Sequence, residues 1–204
     1  SETHSLKNVR RTHAQMMEEV RGIVGLLRGL PADRRPKFEG GLSTAFGCTL
    51  EGVVPADKVV ALAEQLMEAG CDEVGLSDTT GYANPTQVRE LVRRVRRAVG
   101  DHALTGLHLH NTRGLGLANV LAGLEVGITT FDSSLGGLGG CPFAPGASGN
   151  IVTEDLVFML EAMGLSTGID VPRLLEVRRI LRDALPTEEL YGFTPEAGLP
   201  LGFE

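Results

Sequence analysis

Tryptophan is absent, and two tyrosines and seven phenylalanines leave aromatics at 4% of 204 residues. A core must then be built from Leu, Val, Ala, Ile and Met, and a hydrophobic content of 42% supplies enough of them for one sizeable domain. Cysteine is scarce as well. Cys48, Cys71 and Cys141 are an odd number with no C-x-x-C pair, which argues against a disulfide framework and fits a reducing, cytoplasmic setting. No apolar run approaches about 18 residues and no signal-peptide pattern is present, so no membrane partner is expected. Positive charge is in deficit: 19 Lys and Arg face 26 Asp and Glu, a net charge of −7, which argues against nucleic acid as a partner. The one basic run, Arg93 to Arg97, is broken by Val95 on a predicted helix and reads as a solvated face.

What the chain has in abundance is glycine, 27 residues of it, and the densest stretch is Gly136 to Asn150, GGLGGCPFAPGASGN. Glycine lets the backbone adopt positive φ and approach a ligand closely, so this stretch reads as a functional loop. Cys141 sits at its tip beside Pro142. Its thiol, with an ordinary pKa of about 8.5, can give up a proton as readily as it can act as a nucleophile. The competing reading is a glycine-rich turn with an incidental cysteine.

Along the chain, apolar residues from about Asn8 to Leu30 recur at helical spacing, stopped by Gly29 and Pro31. A strand is predicted over about Lys37 to Ala45 and a helix over Pro55 to Ala69, with Gly70 past its end. Glu73 to Leu76 reads as a buried strand, and Asn84-Pro85 caps a helix whose stripe is Val88, Leu91, Val92, Val95 and Val99. Strand Leu104 to His110, helix Leu115 to Val126, strand Ile128 to Ser134, the glycine loop, and helices from Thr153 and Pro172 follow. Strand then helix, four times over, demands parallel strands with helical crossovers, an α/β fold. No G-x-G-x-x-G follows the first strand, which weakens an open dinucleotide-binding sheet. Polar residues instead close several different strands, namely Asp78, His108 with His110, and Asp132 with Ser133. That distribution belongs to a (β/α)8 barrel.

His108 and His110 are two apart on one strand and share a face. They read either as a pair of metal ligands or as hydrogen-bonded core histidines. Asn150 adds a carbonyl oxygen, and a mixed imidazole and oxygen set suits Mg²⁺ or Mn²⁺ better than Zn²⁺. Asp78 is a substrate-orienting carboxylate or an Asx-turn residue. Glu154 and Asp155 stand in a helix's first turn, where the dipole favours them in any case.

Three segments, GLSDTTGYANP, GLHLHNTRGLGLANV and FDSSLGGLGGCPFAPGASGNIVTEDLV, resemble the bacterial 3-hydroxy-3-methylglutaryl-CoA lyases, members of the DRE-TIM metallolyase superfamily; the likeness runs from Ser1 to about Ile180. The resemblance implies a TIM barrel, an acyl-CoA substrate and retro-Claisen cleavage to acetyl-CoA and acetoacetate. It implies a divalent metal held at His108, His110 and Asn150, an acid/base role for Cys141, and an active-site role for Asp78. An arginine and a metal-binding aspartate on the family's first strand, and a glutamate on its second, have no counterpart here. Residues 1–185 are therefore expected to be the C-terminal half of a barrel, with 186–204 as a tail. Such a half is expected to associate with itself or with a missing N-terminal half, and its activity alone is expected to be low. Two other readings stand beside the lyase: an isopropylmalate-synthase-like condensing enzyme, and a catalytically silent half-barrel partner. The GGLGGCP loop distinguishes the lyase from the synthases.

Overall fold

Strands β1 (Glu39–Leu42), β2 (Glu73–Asp78), β3 (Gly106–Leu109) and β4 (Thr130–Asp132) form one sheet in the order β1-β2-β3-β4, each neighbouring pair parallel. The computed structural model describes residues 1–140 and 149–203. Helices α1 (Glu2–Asn8) and α2 (His13–Arg28) precede β1; α3 (Ala56–Ala69), α4 (Pro85–Val99) and α5 (Gly116–Glu125) are the three crossovers; α6 (Thr153–Ala162), α7 (Val171–Ala184) and α8 (Thr194–Ala197) follow β4. The α/β reading and the partial parallel barrel hold. Among the described residues no helix is long and apolar enough to cross a membrane.

One face of the sheet is closed by the crossover helices. Val74, Leu76, Leu107 and Leu109 on that face join Val59, Ala63 and Leu66 of α3 and Val88, Leu91, Val92 and Val95 of α4 in one buried cluster. The apolar stripe of α4 thus does what its spacing predicts. Asn84 starts that helix with a capping box: its side-chain oxygen accepts from the Thr86 and Gln87 amides at 3.1 Å, and Gln87 Oε1 accepts from the Asn84 amide at 3.1 Å. The opposite face is concave and lined by small or polar residues. A row of glycines, Gly41, Gly75 and Gly106, runs in register across three strands, and a Cβ on Gly75 would collide with the Glu39 carboxylate.

Two sequence expectations are corrected. The stretch from Asn8 to Leu30 is not one helix, because Arg10 adopts a positive φ of 57° and Thr12 opens α2 with its own capping box to Gln15. The basic run is not wholly solvated. Arg96 folds under the sheet and donates to the carbonyls of Leu104, Val126 and Gly127 at 2.5–2.9 Å, tying α4 to the segments that lead into β3 and β4.

Side-chain parity along β2 sets a test. Leu76 is fully buried against the helices, whereas Leu26 on α2 is 78% exposed. Leu76→Ala is expected to cost about 2–5 kcal/mol and Leu26→Ala less than about 0.5 kcal/mol in urea denaturation. Equal losses would contradict the parity.

Candidate active site

The site is built at the C-terminal ends of the strands, on the concave face. His108 pairs in register with Ser77 on one side and Asp132 on the other, so these three side chains share that face. His108 Nδ1 lies 3.2 Å from Asp132 Oδ2, and His108 Nε2 lies 3.3 Å from His110 Nε2. The two rings are tilted 60° with centroids 5.2 Å apart, so their Nε2 atoms converge while the rings stay clear of stacking. His110 is buried and His108 about one-third exposed, facing a groove of about 430 Å³ that Glu39, Ser43, Thr79 and Asp132 also line.

Asn150 is delivered by the far end of the glycine loop. After β4 the chain turns through Gly136 and Gly137, both at positive φ, and on its return residues 149–152 lie across the strand ends. Asn111 N donates to Gly149 O, Ile151 N to Leu109 O and Ser134 N to Ile151 O, which sets Asn150 in a bridge with His110. A Cβ at Gly149 would overlap the Gly137 carbonyl, so only glycine allows this crossing. The Asn150 amide is oriented by one bond, Nδ2 donating to Leu138 O at 2.9 Å. Its Oδ1 is buried and has no hydrogen-bond partner among the described residues. A buried carbonyl oxygen without a donor is costly unless something else fills the role.

Asp78 is placed differently. It shares the parity of Val74 and Leu76 and is 1% exposed, facing the helices rather than the histidines. Oδ1 accepts from the amides of Tyr82 and Ala83 at 2.8 and 3.1 Å, and Oδ2 has no partner among the described residues. Burial raises its pKa to about 7, against the pull of those two amides and of Arg113. Arg113, from the loop after β3, donates to the Thr80 and Gly81 carbonyls and lies 4.5 Å over the Tyr82 ring. Asp78 and Arg113 together shape the rim beside the histidines.

The sequence reading passed over two groups. Asp132 was noted only as a polar strand end, although its place 22 residues beyond His110, closing the next strand, is a legible signal. Arg178 on α7 carries no such signal, being one of several arginines there. It is buried against Glu154, Nη1 to Oε1 at 2.9 Å, and donates to the Tyr191 and Leu190 carbonyls. Glu154 in turn accepts from the Gly136 amide, and Asp155 from the amides of Phe193 and Thr194. The two carboxylates read as first-turn charges therefore anchor the loop stem and the C-terminal tail.

The sheet and loop bring His108, His110 and Asn150 together, and Asp78 stays on the other face. Cys141 lies outside the described residues. Among the described residues no group of three or more His, Cys, Asp or Glu could hold a metal ion, so any cation here depends on the amide oxygen as well. The donors fit one. Two nitrogens at about 2.1 Å from a shared ion stand about 3.0–3.4 Å apart for octahedral to tetrahedral angles, and the Nε2 atoms are 3.3 Å apart. Asn150, whose backbone bridges His110, offers an unpartnered Oδ1 as a further acceptor.

A family model described as HMGL-like matches residues 1–181. Hydroxymethylglutaryl-CoA lyase of Bacillus subtilis is 39% identical over 197 residues, covering 95% of this chain and 64% of its own length. (R)-Citramalyl-CoA lyase of Chloroflexus aurantiacus is 49% identical over 138 residues, 68% of this chain and 43% of its own. The solved structure of an HMG-CoA lyase from Acinetobacter baumannii, in complex with coenzyme A and 3-methylmalate, superposes with a TM-score of 0.90 at 45% identity, covering all of this chain and 65% of that one. The chain thus spans under two thirds of the length of the proteins it matches.

The buried carboxyl of Asp78 has a pH signature. Its folded pKa lies above the unfolded value, so its contribution to stability is fully present below about 3.8 and is lost progressively as pH rises through about 7. Asp78→Asn keeps an acceptor for the Tyr82 and Ala83 amides and removes the titration. Thermal midpoints followed from about pH 4 to about pH 8 are expected to fall less steeply in the variant; parallel curves would rule the effect out.

Proposed function

The chain belongs to the HMGL-like family, and on that premise we propose that it carries the metal-binding face of a carbon-carbon lyase acting on a branched 3-hydroxyacyl-CoA. The observation that carries the reading is the convergence of His108 Nε2 and His110 Nε2, with a buried, unpartnered Oδ1 on Asn150, whose backbone bridges His110. On this reading the substrate is 3-hydroxy-3-methylglutaryl-CoA and the products are acetyl-CoA and acetoacetate, as the name of the Bacillus relative suggests.

His108, His110 and Asn150 would hold Mg²⁺ or Mn²⁺, and the ion would supply Lewis-acid stabilisation of charge on the substrate oxygens. The chain's residues do the rest. The Asn150 amide is oriented by its Nδ2 bond to Leu138, and Arg113 and Asp78 hold the Thr79–Ala83 turn at the rim. The substrate's 3-hydroxyl gives its proton to water and becomes the ketone as the C2–C3 bond breaks. The electron pair of that bond passes to C2 of the departing thioester, which takes a proton from the Cys141 thiol. Asp78 is proposed to act from the rim, through the turn it holds. The setting is cytoplasmic, where the buried thiols of Cys48 and Cys71 stay reduced.

The reaction is assigned to the closed barrel. Among the described residues β1 and β4 each have one strand neighbour in the sheet, and a groove of about 320 Å³ beside β1 is lined by Val9, Met16, Met17, Val20, Phe38 and Leu62. Edges and an apolar groove of this kind favour association. The 21.7 kDa chain alone is expected to elute as a larger species in size-exclusion chromatography; a folded monomer would rule this out. A second substrate reading has a specific support, the 49% identity to the citramalyl-CoA lyase.

Acetyl-CoA release is measured from both CoA thioesters, on this chain alone and on this chain with the N-terminal half of a related lyase added, with Mg²⁺ or Mn²⁺ and then with EDTA. The closed barrel is expected to be active with metal only, and Cys141→Ala to lower the rate about 10²–10⁴-fold. This chain alone is expected near background. Full activity in EDTA, or in Cys141→Ala, would overturn the assignment.

A further inference from the structure

We infer that Asp132 is the positioning residue of His108: its carboxylate holds the ring proton on Nδ1, so that the Nε2 lone pair is presented to the groove. The inference deepens the metal-site reading, but its geometry stands without it. Asp132 and His108 are register partners on β4 and β3, and Oδ2 stands 3.2 Å from Nδ1. A carboxylate can only accept, so a neutral ring beside it carries its proton at Nδ1. Among the described residues that line the groove the only other carboxylate is Glu39, which lies over Gly75 and whose pKa is raised by burial and by the charge of Asp132.

The placement matters because an unconstrained histidine ring favours the opposite tautomer, with the proton on Nε2. That proton would point at His110 Nε2, 3.3 Å away, and turn the pair into a closed imidazole–imidazole hydrogen bond. Asp132 reverses the intrinsic preference and leaves His108 Nε2 as an acceptor. Carboxylates that hold the far nitrogen of a liganding imidazole fix its tautomer and raise its basicity. Asp132 does this from the solvent-open end of β4, where its side chain is 68% exposed and carries no packing role.

The test is long-range proton–nitrogen correlation NMR on the ¹⁵N-labelled chain at a pH where the rings are neutral, with Asp132→Ala and Asp132→Glu. In the parent chain His108 is expected to be protonated on Nδ1 and bare on Nε2. Asp132→Ala is expected to move the proton to Nε2, and Asp132→Glu to restore it to Nδ1, with the remaining amide spectrum unchanged. A His108 tautomer that stays on Nδ1 in Asp132→Ala overturns the inference. Mn²⁺ binding followed by electron paramagnetic resonance is expected to weaken about 10–100-fold in Asp132→Ala. Unchanged affinity in a chain that binds the ion overturns the inference too. Tautomer inversion with no Mn²⁺ bound by either protein supports the positioning role and sinks the metal reading instead.

Discussion

The pairing of Ser77 with His108, and of His108 with Asp132, across three parallel strands decides which side chains of this protein can meet. Strand side chains alternate, so a slip of one residue in β3 would send His108 and His110 into the helix-facing core and bring Leu107 and Leu109 into the groove. The leucines prevent that slip. They are 2% and 0% exposed in a cluster that draws on α3 and α4, and the burial of each is worth about 1.5–3 kcal/mol. The site's orientation is therefore enforced from the far side of the sheet, by side chains packed against the crossover helices. Arg96 adds to this by tying α4 to the chain just before β3 and β4.

A second constraint governs the glycine loop. Its two stems are held from opposite sides: the outgoing stem at Gly136 by Glu154, the return stem at Gly149 to Ile151 by the carbonyls and amides that end β3. The Glu154–Arg178 pair is fully buried, and burying two charges costs several kcal/mol each before their attraction and other hydrogen bonds offset it. Here those bonds are the Gly136 amide and the Leu190 and Tyr191 carbonyls, so the pair couples the loop stem to the C-terminal segment. A replacement by apolar residues would fill the volume and lose that coupling. The stability of the pair is thus less to the point than what it connects.

Much of this was legible beforehand. Four strand–helix repeats gave parallel strands, and the H-x-H spacing put His108 and His110 on one face, because both depend on local periodicity. The parity of Asp78 was legible too: it shares the face of Val74 and Leu76, and its Asx-turn reading matches the bonds to Tyr82 and Ala83. Its substrate-orienting reading rested on its place at a strand end, and family resemblance added an active-site role. The break between α1 and α2 was hidden because the apolar spacing runs through it, while the deciding feature, a positive φ at Arg10, has no glycine to announce it. Arg96 and Arg178 were hidden for a different reason. Each looks like any other arginine on its helix, and only the tertiary fold selects the one whose guanidinium reaches buried carbonyls.

The donors gathered at the strand ends are two imidazoles and an amide, none of which carries negative charge. Hard dications bind chiefly through charged oxygen, and the one carboxylate in contact with the set, Asp132, is spent on His108 rather than aimed at the convergence point. The outer edge of β4 lies beside Asp132, one strand from His108, and has no second strand neighbour among the described residues. A strand pairing there would bring its own inward side chains next to the histidines, so the element that satisfies the backbone edge is also the one placed to supply the missing charge. On the proposed reading, closure of the sheet and completion of the ligand set would be the same event.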